Sequence, residues 1–234
     1  MKRFYILIIA LISFLTSCKE KDKTETSTEQ NTATTLTPDK NSTLNQANNG
    51  QIEKKDSNPL LLSFKDSIEL LRLTDTILTE IKEKNYLSIA KYIDPILGVR
   101  FSPYAYVDTL NNVVLSKETF QIEAGIPKQS KILWGVIDPT EKPIKMTLNQ
   151  FMQKFVYDVD FAQPEKRSLD KFLGGGNSLN NLSEVYKGCH FTESYFSGFE
   201  EKYQGYDWRT LRLVFKKRND EFYLVGIIHD EWTI

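Results

Sequence analysis

The fold is decided by Thr210-Leu211-Arg212-Leu213-Val214-Phe215-Lys216-Lys217, then Arg218-Asn219-Asp220, then Glu221-Phe222-Tyr223-Leu224-Val225-Gly226-Ile227-Ile228-His229. Two runs of branched and aromatic residues separated by three residues of turn chemistry predict an antiparallel hairpin. Val185 to Phe196 has the same composition and predicts a strand before it, so the last third reads as a meander.

Upstream, the period changes. Leu61, Phe64, Ile68, Leu71, Leu78 and Ile81 recur at helical spacings and predict a long amphipathic helix over Leu60 to Lys84. Asn85 breaks it. A short second helix turns Tyr86, Ile89, Ala90 and Ile93 inward, and Asp94-Pro95 closes it, because a residue before proline avoids helical geometry. Val99 to Val107 alternates apolar with polar residues and contains Pro103, which predicts an edge strand. Strands are expected over Lys131 to Ile137 and Ile144 to Met146, with a turn at Asp138 to Lys142. Thr147 with Gln150 forms a capping-box pattern ahead of a third helix from Leu148 to Asp158. Helices first and a meander last predict an α+β domain with helices packed on one face of a curved antiparallel sheet. In arrangement this is similar to the cone of the nuclear transport factor 2-like or cystatin-like folds.

At the other end, Lys2 and Arg3 precede an apolar run from Phe4 to Leu15 that stops at Leu15-Thr16-Ser17-Cys18. This resembles a lipoprotein signal peptide over residues 1–17, with cleavage before an acylated, palmitate-bearing Cys18. Membrane attachment through Cys18 on the extracytoplasmic side of the cell envelope, at the periplasmic leaflet or the cell surface, is the expectation. Residues 18–58 lack aromatics and read as a disordered tether with a reach of roughly 35 Å. Residues 59–234 read as one globular domain. The 30 basic and 31 acidic residues nearly balance and form no basic stripe, so no nucleic-acid partner is expected. Cys189 has no partner left once Cys18 carries lipid. With two histidines and no paired-ligand spacing, neither a metal nor another cofactor is expected.

Over nearly the whole domain the chain also resembles a group of uncharacterised bacterial lipoproteins and secreted proteins. The words that carry the resemblance are Gly98 to Tyr104, Trp134-Gly135, Phe155 to Phe161, Gly176 to Asn181, Asp207 to Phe215, and the C-terminal block Tyr223 to Ile234 with its His229-Asp230-Glu231-Trp232-Thr233-Ile234 ending. That resemblance implies fold and address and carries no activity.

Chemistry-bearing residues fall into a few groups. His229 leaves a strand beside Asp230 and Glu231, and a proton-transfer role would give it Asp207 or Glu193 as partner. In a structural role, His229 bonds within the sheet and Trp232 plugs the core. Cys189 and His190 are neighbours on a strand and point to opposite faces, so a thiol–imidazole pair would require Cys189 with His229. Gly174-Gly175-Gly176-Asn177 lacks the continuation of a phosphate loop and reads as a turn. Asp158 and Asp160 read as a helix-end turn or a carboxylate pair. Arg100, Tyr104 and Tyr106, with Trp208 and Arg209, offer the stacking and bidentate groups that a sugar, peptide or anionic ligand uses. The leading expectation is a non-enzymatic binding or adaptor module for a small molecule or envelope protein. The alternatives are a small hydrolase or isomerase built on His229, and a structural or inhibitory protein that uses a sheet edge or the Phe196 to Tyr206 loop.

Overall fold

The computed structural model describes residues 61–233; the signal segment, Cys18 and the tether lie outside the described residues. Those described belong to one compact unit. Helix α1 (Phe64–Lys82) starts at Ser63, whose hydroxyl accepts the Asp66 N–H at 3.0 Å. Its inward face is Leu70, Leu73, Thr74, Ile77, Leu78 and Ile81. This corrects the expected face, because Leu61, Phe64 and Ile68 are exposed and the first turn is tied down instead by the Asp66–Lys217 ion pair at 2.8 Å. Helix α2 (Tyr86–Ile89) continues as a 3₁₀ turn, Ala90–Tyr92. Strands β1 (Val99–Ser102) and β2 (Val114–Leu115) follow, then helix α3 (Lys117–Gly125), whose one buried side chain is Phe120.

The hairpin β3 (Ile132–Ile137) and β4 (Lys142–Met146) stands as a separate two-stranded sheet. The capping box at Thr147 and Gln150 forms, and helix α4 (Leu148–Phe151) then widens into a π-turn over Met152–Val156. Next come β5 (Lys166–Leu169), the short helix α5 (Leu182–Val185), β6 (His190–Phe196), β7 (Arg209–Arg218) and β8 (Glu221–Glu231). The β7–β8 turn is the predicted one, with Asn219 and Asp220 both at positive φ as a tight primed turn requires.

The main sheet has the order β2-β1-β8-β7-β6-β5 and is antiparallel except for β1, which runs parallel to β8. Two expectations change here. The first strand is four residues long and internal, ended by Pro103, which has no N–H to give. The strand expected from Val185 starts at His190, because Leu182–Val185 is helical and Gly188 turns the chain at φ +71. Both faces of the sheet are covered, whereas helices on one face were expected. Leu211, Leu213, Phe215 and Ile227 join the large core under the helices, with Trp134 stacked on Phe151 at 4.2 Å. On the other face Phe191, Val214, Val225 and Ile228 pack against Val107, Leu182, Val185 and Tyr186.

Candidate functional site

The loop after β1 is fastened at several points. Ser102 Oγ lies 2.7 Å from the Tyr104 carbonyl and 3.0 Å from that of Tyr106. Asn181 clasps Val107 in both directions, accepting its N–H at 2.8 Å and donating to its carbonyl at 3.1 Å. Arg100 Nη1 reaches the carbonyls of Asp108, Thr109 and Asn112 at 3.2–3.4 Å. The Asp108 side chain accepts from Asn111 and from two backbone N–H groups, and the Asn111 amide in particular holds its carboxyl below the usual range. A loop tied down this way presents its side chains without an ordering cost on binding.

Two clefts meet at this loop, sharing Tyr104, Ile137 and Asp138. The first, about 340 Å³, lies between the loop and the β3–β4 hairpin and takes in Tyr106, Asn111, Asn112 and Glu141. Gly135, at φ +134 where the hairpin register shifts, forms part of its wall, a backbone conformation that favours glycine. The second, about 320 Å³, runs on past Lys154 and Phe155 to Glu231 and Trp232. Tyr104 is anchored edge-on against Phe155, and burial raises its hydroxyl pKa, so it is a neutral donor at physiological pH. Glu231 is engaged by Arg209 at 3.0 Å, while Asp138 and Glu141 make no ion pair among the described residues. Aromatic rings, amides and two free carboxylates against one lysine make a surface for stacking and for accepting hydrogen bonds.

The remaining expected site residues are dispersed. His229 is buried on the helix side of the sheet and lines none of these clefts; its Nε2 meets Asp158 Oδ1 at 3.1 Å, and its Nδ1 has no partner among the described residues. Its carboxylate is therefore Asp158, in place of the expected Asp207 or Glu193. Burial opposes the charge of Asp158, but His229 and Arg209 outweigh it and hold its carboxyl below the usual range. Arg209 spans Asp158 at 2.9 Å and Glu231. Asp160 is taken up by Lys82 at 2.6 Å and by the Tyr157 hydroxyl, so the two aspartates share no site. Asp207 Oδ2 accepts the N–H groups of Phe199 and Glu200 and closes a surface loop. Trp232 stands 37% exposed against Tyr206, outside the core it was expected to plug.

Glu193 and Asp230 lie on the opposite face, both bound to a fully buried Arg212 at 2.9 and 3.0 Å. Gly174 completes this cluster, donating its N–H to Glu193 at 2.7 Å and accepting from Arg212 at 3.1 Å. The glycine run is thus a cover over buried charge: a Cβ on Gly174 or Gly176 would stand 3.0–3.2 Å from the Tyr195 or Trp208 rings. Trp208 is buried beneath it and cannot stack on a ligand.

Cys189 packs toward the second-face cluster, opposite His229, so the two do not meet, and burial pushes its thiol pKa up. A different pair, with no signature in the sequence pattern, lies close by. His190 Nδ1 lies 2.6 Å from Asp170 in a cleft of about 500 Å³ shared with Ser183 and Cys189. Asp170 sits at positive φ just after β5, a strand the sequence pattern did not reveal. Among the described residues no group of three or more potential ligands is placed to hold a metal ion, and no helix is long and apolar enough to cross a membrane.

Comparison with family models, with curated proteins and with solved structures gives no match.

Proposed function

We propose that the chain is a binding module of the cell envelope, carried by a lipidated Cys18. Its ligand is a neutral or amine-bearing, hydroxyl-rich molecule such as a carbohydrate, and it lies along the joined clefts at Tyr104. The observation that carries this reading is the pre-fastened aromatic and amide groove with Asp138 and Glu141 unpaired. The address rests on the Leu15-Thr16-Ser17-Cys18 word, and membership in the uncharacterised lipoprotein group on the words quoted above. A nuclear transport factor 2-like cone is the fold we assign within the α+β class, supported by α1 and α2 ahead of the sheet and by the β6–β7–β8 meander at its end.

Affinity electrophoresis through gels containing neutral and amino polysaccharides tests the ligand. Retardation of the wild type, weakened roughly 3–10-fold by Tyr106→Ala, is expected from the loss of one stacking ring. Equal migration of both proteins in every gel would defeat the proposal. Labelling with palmitate tests the anchor, which Cys18→Ala should abolish.

A second reading, a hydrolase, rests on the His190–Asp170 pair, since a carboxylate on Nδ1 orients an imidazole for proton transfer. It lacks a placed nucleophile, because the raised Cys189 pKa leaves little thiolate at neutral pH. Ester hydrolysis by the wild type that vanishes in His190→Ala would favour it.

A further inference from the structure

A separate cleft, sharing no residue with the groove, lies over the second face of the sheet. Arg100 on β1 and Lys216 on β7 lie along its floor, with Val225 of β8 between them, and Tyr186 and Lys187 wall it after α5. Three cations line it and no carboxylate does. None of the three makes an ion pair among the described residues. On β7 the other cations, Arg209, Arg212, Lys217 and Arg218, each carry a carboxylate, so the three around this cleft are the unneutralised ones of its surroundings.

A fourth polar group stands with them. The Tyr186 hydroxyl is buried with no acceptor for its O–H among the described residues. It lies over Gly226, where a Cβ would come within 2.6 Å of it, and Gly226 is the register partner of Arg100. Glycine at 226 therefore leaves room for the phenol hydroxyl over the sheet, beside the guanidinium. Burial pushes the Tyr186 pKa up to about 12 against the influence of Arg100, so the group is a neutral O–H donor at physiological pH. A buried donor without an acceptor costs stability that an incoming acceptor would recover.

We propose that this cleft is an anion site for the phosphate group of a small molecule, held by Arg100, Lys187, Lys216 and the Tyr186 hydroxyl. At about 220 Å³ it is smaller than a drug-sized pocket, which limits the ligand to a compact phosphate compound. Of the Arg100 nitrogens only Nη1 is used by the 108–112 carbonyls, so Nε and Nη2 serve the Tyr186 hydroxyl beside them and an incoming oxyanion. The proposal stands independently of the groove.

Titration of the full chain with inorganic phosphate and pyrophosphate, followed by calorimetry in low salt, tests it. One saturable site is expected, weakened by added sodium chloride through screening. Lys187→Gln and Lys216→Gln should each lower affinity about tenfold, the scale of one charge-assisted hydrogen bond. Arg100 is left intact because it fastens the loop. Phosphate should also slow alkylation of Cys189, read by mass spectrometry of its peptide, since Cys189 lines the same cleft. Absence of saturation below about 10 mM phosphate would overturn the proposal. So would undiminished binding in the double lysine variant, or binding that leaves Cys189 equally reactive.

Discussion

Arg212→Met is the most informative perturbation of this domain. The guanidinium is fully buried, binds Glu193 and Asp230, donates to the Gly174 carbonyl, and lies 5.2 Å beneath the centre of the Phe172 ring. Methionine fills much of the volume but removes the two ion pairs, at about 1.5–3 kcal/mol each, which gives about 3–6 kcal/mol before the bond to the Gly174 carbonyl is counted. That range overlaps the roughly 3–5 kcal/mol seen when one member of a buried ion pair is deleted. The two carboxylates will not suffer equally. Glu193 keeps the N–H groups of Leu173 and Gly174, whereas Asp230 has no other hydrogen-bond partner among the described residues, and burial already raises its pKa against the pull of Arg212.

A pH dependence follows. A carboxyl with a folded-state pKa above its unfolded value contributes its full stability below the unfolded pKa and loses it as pH rises through the folded one. Without the opposing pull of Arg212 the Asp230 carboxyl is pushed further up. The deficit should therefore be largest near about pH 8 and shrink toward about pH 5, as the folded state takes up protons that the unfolded chain does not. Urea denaturation of wild type and variant at several pH values measures this, and Arg212→Met combined with Glu193→Gln and Asp230→Asn should recover much of the loss. A variant within about 1 kcal/mol of wild type at pH 8 would refute the reasoning.

Two further outcomes are expected. Trp232→Ala should cost under about 1 kcal/mol in thermal melts, being partly exposed, while His229→Ala should cost about 1–3 kcal/mol by stripping a buried partner from Asp158; the reverse order would mean that the C-terminal block packs differently. Gly174→Ala should destabilise by about 1–3 kcal/mol because the new methyl presses on Tyr195 and Trp208, and a melt unchanged from wild type would show that those rings move freely.

The elements legible in the sequence are those whose pattern is local. The β7–β8 hairpin was readable because branched residues flank Arg218-Asn219-Asp220, and α4 because Thr147 and Gln150 announce its start. The parallel pairing of β1 with β8 was not, since it joins Arg100 to Gly226 across most of the domain. The phase of α1 was misread for a related reason: Leu61, Phe64 and Ile68 sit at helical spacing, but only tertiary packing determines which turns meet the sheet. Among candidate ligand contacts, Tyr104 and Tyr106 stood out as aromatics on one segment, whereas Asp138 and Glu141 reach them from a hairpin thirty-odd residues away.

The candidate at His229-Asp230 fails on strand alternation. Adjacent strand residues face opposite ways, which is why Cys189 and His190 were separated. The same alternation sends His229 down to Asp158 under the helices and Asp230 up to Arg212 beneath the glycine loop. Glu193, Arg212 and Asp230 then share a face because their strands are neighbours and Arg212 lies opposite Glu193 in register. A histidine beside two carboxylates in sequence is thus, in the fold, two charge clusters on opposite sides of one sheet. Both are committed to holding β6, β7 and β8 to what covers them, so the two ligand sites proposed above, at the Tyr104 loop and around Tyr186, draw on neither cluster.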